Sequence, residues 1–234
     1  MVVMAETFGL HAPLMQGGTT VQRVYGDLRR RIITLELAPD TTLSRTDLSD
    51  TYGVSQTPIR EALQLLKQEG LVFIFPQSRT VVTRIDVPQI YEAHFLRMSL
   101  ETEVCRRLAA EDSDATLSRA RSILRMQEAI SDDPSQIAMF QELDEVFHQT
   151  LFAGVGQIGL NHLVRERSGH LERARRLHLP EKGKVVSILD GHKAIIAGIA
   201  SGRPEAATDA MRDHLSQTVS RIEALRREFP DHFA

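Results

Sequence analysis

The sequence predicts a mainly α-helical protein in two parts, a small helical head closed by a β-hairpin and a larger all-helical body. Three observations predict it. Apolar residues recur at three- and four-residue spacing along most of the chain, and strand-like runs occur only between residues 71 and 85. Beyond "RIDVPQ" the helical pattern continues from about residue 87, with breaks at 111–114, 131–135, 153–158, 180–184 and 201–204. The expected organisation is a flexible tail over 1–19, a head over 20–84 and a body over 85–234.

Bulk properties bound the reading. At 234 residues, 42% hydrophobic and 25% charged, the chain has the composition of a soluble globular protein, which excludes disordered and collagen-like classes. The longest apolar stretches, such as "GLVFIF", fall far short of the roughly 20 residues a bilayer span requires. "MVVMAETFGLHAPLMQGG" lacks a basic region ahead of a long apolar core, so a cytoplasmic protein without a membrane partner is expected. A single cysteine, Cys105, cannot close an intramolecular disulfide, in keeping with a reducing compartment. The net charge of −3 does not announce nucleic-acid binding. Up to residue 84 nine Lys/Arg stand against eight Asp/Glu, and beyond it 19 stand against 23, so any such reading rests on local placement.

In the head, Val21, Val24, Leu28, Ile32 and Leu35 predict a helix over 20–35, broken by Pro39-Asp40. "SRTD" at 44–47 predicts a short helix with Ser44 as N-cap, ending near Tyr52-Gly53. The next helix starts from Ser55 as N-cap, turns Ile59, Leu63 and Leu66 inward, and stops near Glu69-Gly70. Pro58 is tolerated in its first turn, where an amide has no intrahelical acceptor. "LVFIF" and "TVVTRI", separated by "PQSR", predict a hairpin. That order is a winged helix-turn-helix.

A recognition helix enters the major groove by its N-terminal end, so its first-turn side chains reach bases and phosphates. "VSQTPIREAL" at 54–63 places Ser55, Gln56, Thr57 and Arg60 there. Gln suits adenine, Arg suits guanine or phosphate, and hydroxyls suit phosphate. The competing reading of this segment alone is a capped amphipathic helix in any small domain.

Residues 20–84 also resemble the DNA-binding domain of the GntR family of bacterial transcription regulators, through "LSRTDLSDTYGVSQTPIREALQLLKQEGLVFIFPQSRTVV". The resemblance implies a homodimer on a palindromic double-stranded DNA operator. Gln56 stands where the family usually has Arg, Arg45 where Glu is common, and Arg79 where the wing usually has Gly. Arg45, Thr46 and Arg79 join the expected DNA-contacting set.

In the body, the informative residues are polar ones inside apolar stripes. Asp144 and His148, four apart, lie on the stripe Ile137, Phe140, Leu143, Phe147, Leu151. His192 interrupts Val185, Ile188, Leu189, Ile195, Ile196, and His214 interrupts Ala207, Met211, Thr218. A lone histidine on such a face is ordinarily a hydrogen-bonded core residue. Several together with an acid suit one shared Zn²⁺, Ni²⁺ or Mn²⁺ ion, which satisfies them at once.

Residues 87–225 resemble the effector domain of the FadR subfamily, the FCD type, through "DEVFH", "GHKAI" and "MRDHL". The resemblance implies a C-terminal all-helical FCD-type bundle with a divalent metal on Asp144, His148, His192 and His214. Gln157 departs from the subfamily's frequent Gly-Asn. Arg97, in "RMSLE", is read either as a partner of Glu101 or as a fork for a ligand carboxylate, the role the subfamily's R-x-x-L-E implies. His170 is expected to line the same cavity, and "RERSGHLERARR" at 165–176 to form a solvated helix face with one inward edge.

The leading expectation is a ligand-responsive repressor released by a small carboxylate bound at the metal site. Two alternatives stay open, a metal-dependent enzyme and a metal sensor without an organic ligand.

Overall fold

The computed structural model describes residues 18–76, 79–181 and 183–234 and divides into two compact units, one ending at Thr83 and the other beginning at Arg84. Most of the tail expected over 1–19 lies outside the described residues, as do Gln77 and Ser78 of the predicted hairpin turn.

In the first unit, α1 (Thr20–Ile33) starts from Thr19 through a capping box with Gln22. It buries Val24, Leu28 and Ile32. The helix ends two residues earlier than the apolar spacing predicts, because Leu35 takes a left-handed φ of 63° and turns the chain away. β1 (Thr42–Leu43) follows, then α2 (Arg45–Tyr52), whose N-cap Ser44 accepts from the Asp47 N–H. Gly53, at φ 62°, supplies the left-handed turn into α3 (Gln56–Gln68). β2 (Val72–Ile74) and β3 (Thr80–Val82) complete an antiparallel sheet of order β1-β3-β2, with Phe73 opposite Val81 on β2 and Thr42 opposite Val81 on β1. The two-residue β1 is too short to show alternation, so no sequence pattern announces it. Ile59, Ala62, Leu63 and Leu66 of α3 close the core against α1, Leu71 and Val82. The buried Glu69 carboxylate takes the Arg29 Nε at 2.8 Å and the Tyr25 hydroxyl, fastening α1 to the end of α3.

The second unit is helical throughout. Asp86 caps α4 (Val87–Ala110), and α5 (Asp114–Ile130), α6 (Ile137–Gly154), α7 (Ile158–Arg167), α8 (Gly169–His178), α9 (Lys184–Ala200), α10 (Pro204–Val219) and α11 (Ile222–Glu228) follow. α4 packs against α6, α8, α9 and α10, and α5 against α6 and α9. The main core gathers Val104, Leu108, Phe140, Phe147, Leu151, Ile195 and Met211. A second cluster joins Ile85, Ile90, Leu171, Ala174, Leu225 and Phe233, where the C-terminal segment bonds to Ile85 through Ile85 N–H to His232 O at 2.7 Å and Ala234 N–H to Ile85 O at 3.0 Å. No helix among the described residues is long and apolar enough to cross a membrane.

The solvated reading of "RERSGHLERARR" is overturned. The chain breaks at Ser168, and α8 buries Gly169, His170, Leu171, Glu172, Arg173 and Ala174. Its charges face partners on other helices rather than water, as with Arg175 on Asp144 and Arg176 on Gln141.

Candidate functional site

Each unit presents one concentration of chemistry. In the first, a groove of about 390 Å³ is walled by the start of α2, the outer face of α3 and the hairpin. Of the residues expected to touch DNA, Arg45, Thr46, Gln56, Arg60 and Arg79 line this groove. Ser55 and Thr57 do not line it, but both are exposed, Ser55 at the N-cap of α3 and Thr57 in its first turn. Ser55 makes no side-chain capping hydrogen bond, so its hydroxyl faces solvent rather than serving the helix. Gln64, one turn beyond Arg60, also lines the groove and was not anticipated. The Arg79 guanidinium stands 5.2 Å from the centroid of the Phe75 ring, a cation–π contact that holds it at the hairpin's edge.

In the second unit, α6 supplies Asp144 and His148, α9 supplies His192, and α10 supplies His214. All four are buried, and one potential ligand atom from each lies within 4.8 Å of the others. His214 Nε2 is 3.2 Å from His148 Nε2, and His192 Nε2 is 3.4 Å from Asp144 Oδ1. Phe147 stacks on His192 at 3.9 Å between ring centroids.

Residues around the cluster set its tautomers. Gln127, fully buried on α5, turns its Oε1 to His192 Nδ1 at 2.9 Å, while its Nε2 donates to the Phe140 carbonyl at 3.5 Å. His192 Nδ1 therefore carries the proton, and the Nε2 lone pair faces Asp144. Glu101 Oε2 lies 2.6 Å from His148 Nδ1, which likewise sends the His148 Nε2 lone pair toward His214. Two acceptor nitrogens and a carboxylate oxygen thus converge, and among the described residues neither Asp144 Oδ1 nor His192 Nε2 has a hydrogen-bonding partner. Acceptors facing acceptors in a buried space fit a cation between them, and the N₃O donor set suits a divalent transition ion.

The charge states agree. Burial pushes His192 and His214 below the ordinary histidine value, so both imidazoles are neutral at neutral pH. Burial alone would raise Asp144, but Arg175, His192 and His148 outweigh it and hold its carboxyl well below the usual range. Glu101, against the same desolvation, is held at about 2 by Arg97 and His148.

Two small cavities flank the cluster. One, of about 30 Å³, is bordered by Arg97, Glu101, Asp144 and His148, and the other, of about 20 Å³, by Lys184, His214 and Gln217. Arg97 and Arg175 border both. Arg97 is paired with Glu101, Nε to Oε1 at 2.6 Å, the partner its structural reading named, and it also borders both cavities. Arg175 Nη2 sits 2.5 Å from Asp144 Oδ2. His170 is elsewhere, contrary to expectation. Its Nδ1 accepts from the Asp86 N–H at 3.0 Å, and it borders neither cavity.

The sequence reading missed Gln127, Arg175 and Lys184. Gln127 had a signal, an amide in the apolar stripe Leu117, Ala120, Leu124 of α5. Arg175 was hidden in the run "RARR".

Residues 20–82 match the gntR family of bacterial regulatory proteins, and residues 89–217 match the FCD domain. An uncharacterized HTH-type transcriptional regulator from an unstable DNA locus of Streptomyces ambofaciens is 38% identical over 218 residues, 93% of this chain and 91% of the relative. The HTH-type transcriptional repressor RspR of Escherichia coli K12 is 28% identical over 214 residues, 91% of this chain and 93% of that protein. The solved structure of E. coli McbR/YncC shares the fold, with a TM-score of 0.74 at 16% identity over 91% of this chain and 99% of that one. These families and relatives are transcription regulators, which sets the enzyme alternative aside. With its helix-turn-helix head, hairpin wing and helical body, the chain belongs to the GntR family of DNA-binding transcription regulators and carries an FCD domain.

Proposed function

We propose that this regulator is a repressor whose second unit holds a divalent metal ion and is released from DNA by a small carboxylate. Asp144, His148, His192 and His214 hold the ion, of the Zn²⁺, Ni²⁺ or Mn²⁺ class. The ion supplies a Lewis-acidic point for an anion, and Arg97 offers a guanidinium fork beside it. Arg45, Thr46, Ser55, Gln56, Thr57, Arg60 and Arg79 contact the operator, which a homodimer reads as a palindrome. The repressor sign follows that of the relative RspR. The observation that carries this reading is the convergence of one carboxylate and three imidazoles, from three helices, on one buried point.

Ligand and DNA need only be coupled by about 1–3 kcal/mol for relief of several-fold to hundredfold. The test is a gel-shift titration of Zn²⁺-loaded protein on a duplex selected for binding by the wild-type protein, with and without a panel of small carboxylic acids. Stoichiometric Zn²⁺ after dialysis, and at least one acid that weakens DNA binding, are expected. Protein that retains no ion, or an affinity that no acid moves, rejects the proposal. The small size of both cavities favours a second reading, a sensor of the metal alone. DNA affinity that follows free Zn²⁺ without any acid selects it.

A further inference from the structure

The cavity beside His214 is bordered by three cations, Arg97, Arg175 and Lys184. They are not equivalent. Arg97 is matched by Glu101 at 2.6 Å and Arg175 by Asp144 at 2.5 Å, whereas among the described residues Lys184 meets a neutral amide and no carboxylate, its Nζ donating to Gln217 Oε1 at 2.9 Å. Gln217 Oε1 also accepts from Ser187 Oγ at 2.9 Å, which leaves it little more to offer the ammonium.

Lys184 is only 7% exposed and is the first residue of α9, where the helix dipole opposes a positive charge. Burial, helped by Arg175, lowers it to about 8, with Asp144 and Glu181 acting the other way, so it stays mostly protonated at neutral pH. A buried ammonium without a carboxylate, at the unfavourable end of a helix, on a cavity shared with a metal-ligand histidine, is a half-made ion pair. A structural role explains it poorly, because a methionine would fill the same space at lower electrostatic cost.

We infer that the acid this site takes carries two anionic groups, the first held on the side of Arg97 and the metal ligands and the second by Lys184 Nζ. The inference rests on the proposed carboxylate-responsive reading and narrows it to a small dianion. A second carboxylate and a phosphate share the required chemistry. Lys184 thereby sets specificity: the first anionic group is common to all small acids, and only the second distinguishes among them.

The test is isothermal titration of Zn²⁺-loaded protein with malate, with 2-hydroxybutyrate, which keeps the four-carbon skeleton and hydroxyl but loses one carboxylate, and with phosphoglycolate. A dianion is expected to bind at least about tenfold tighter than 2-hydroxybutyrate. In K184M that preference falls below about twofold while 2-hydroxybutyrate binds as before. Malate above phosphoglycolate assigns the second group to a carboxylate, and the reverse order assigns it to a phosphate.

Equal binding of the dianions and 2-hydroxybutyrate by wild type, or a preference undiminished in K184M, overturns this inference and leaves the carboxylate-responsive reading standing. Protein that binds Zn²⁺ but none of the three acids overturns this inference, and the wider acid panel in the gel-shift titration decides the carboxylate-responsive reading. Should K184M fold poorly, by circular dichroism, K184Q carries the same comparison, and the wild-type preference already stands or falls alone.

Discussion

The two units place their chemistry on opposite sides of their cores. In the first, the buried face of α3 is Ile59, Ala62, Leu63 and Leu66, wholly apolar, and every residue assigned to DNA is exposed. In the second, the buried face of α6 alternates Phe140, Leu143, Phe147 and Leu151 with Asp144 and His148. The residues proposed for function therefore stand apart from the core in the first unit and belong to it in the second. A surface site can change without disturbing the fold, while a buried site can change only together with it.

The sharpest break of this comparison is Asp144→Ala. It removes a proposed metal ligand and also deprives the largely buried Arg175 of its carboxylate, so a loss of about 3 kcal/mol or more is expected. Hydrogen exchange on the full chain reads the units separately. Amides of α4, α6 and α9 should lose protection while those of α1 and α3 keep theirs. Equal loss in both units would contradict the separation.

Gln127→Leu is milder. The side chain keeps its volume, but His192 loses the acceptor that fixes its tautomer, and removing such an orienting partner weakens metal affinity by about 10- to 100-fold. Competition with a chromophoric Zn²⁺ chelator measures it, and an unchanged affinity would mean that His192 is oriented by Phe147 stacking alone.

Arg60→Ala is the mirror case in the first unit. At least about tenfold weaker binding to a selected duplex is expected, with stability moved by no more than about 0.5 kcal/mol. An Arg60→Ala protein that binds normally removes α3 from the DNA surface. One that unfolds removes the claimed independence of surface and core.

The same contrast explains what could be read from the sequence. α3 was legible because its period, its cap and its outward polar residues are all local, and Ile59, Leu63 and Leu66 are where the spacing puts them. Asp144, His148, His192 and His214 were legible as interruptions of stripes, although their meeting within 4.8 Å depends on three helices packing together. What failed was long-range. β1 exists only because β3 pairs with it, and the charges of α8 looked solvated because their partners, Asp144 and Gln141, are about thirty residues away in sequence. His170 was misplaced because its partner, the Asp86 N–H, is 84 residues away in sequence.

The smallest expected effect is also the most discriminating. Gly191 precedes His192 on α9, and a Cβ there would stand 2.5 Å from His214 Nδ1. In an exposed helix interior Gly→Ala stabilises by about 1 kcal/mol, because the unfolded glycine loses more freedom on folding. Here that gain meets the cost of turning the His214 ring away from its position opposite His148, so the net stability change of Gly191→Ala is expected within about 1 kcal/mol of zero. Zn²⁺ affinity is nevertheless expected to fall severalfold, since one of the four proposed donors is displaced while the other three remain. Thermal unfolding in the presence of a chelator, set beside Zn²⁺ competition, separates the two quantities. If stability rises by the full propensity gain and Zn²⁺ affinity holds, His214 has room to spare, and the second unit's site would be as independent of its packing as the first unit's groove.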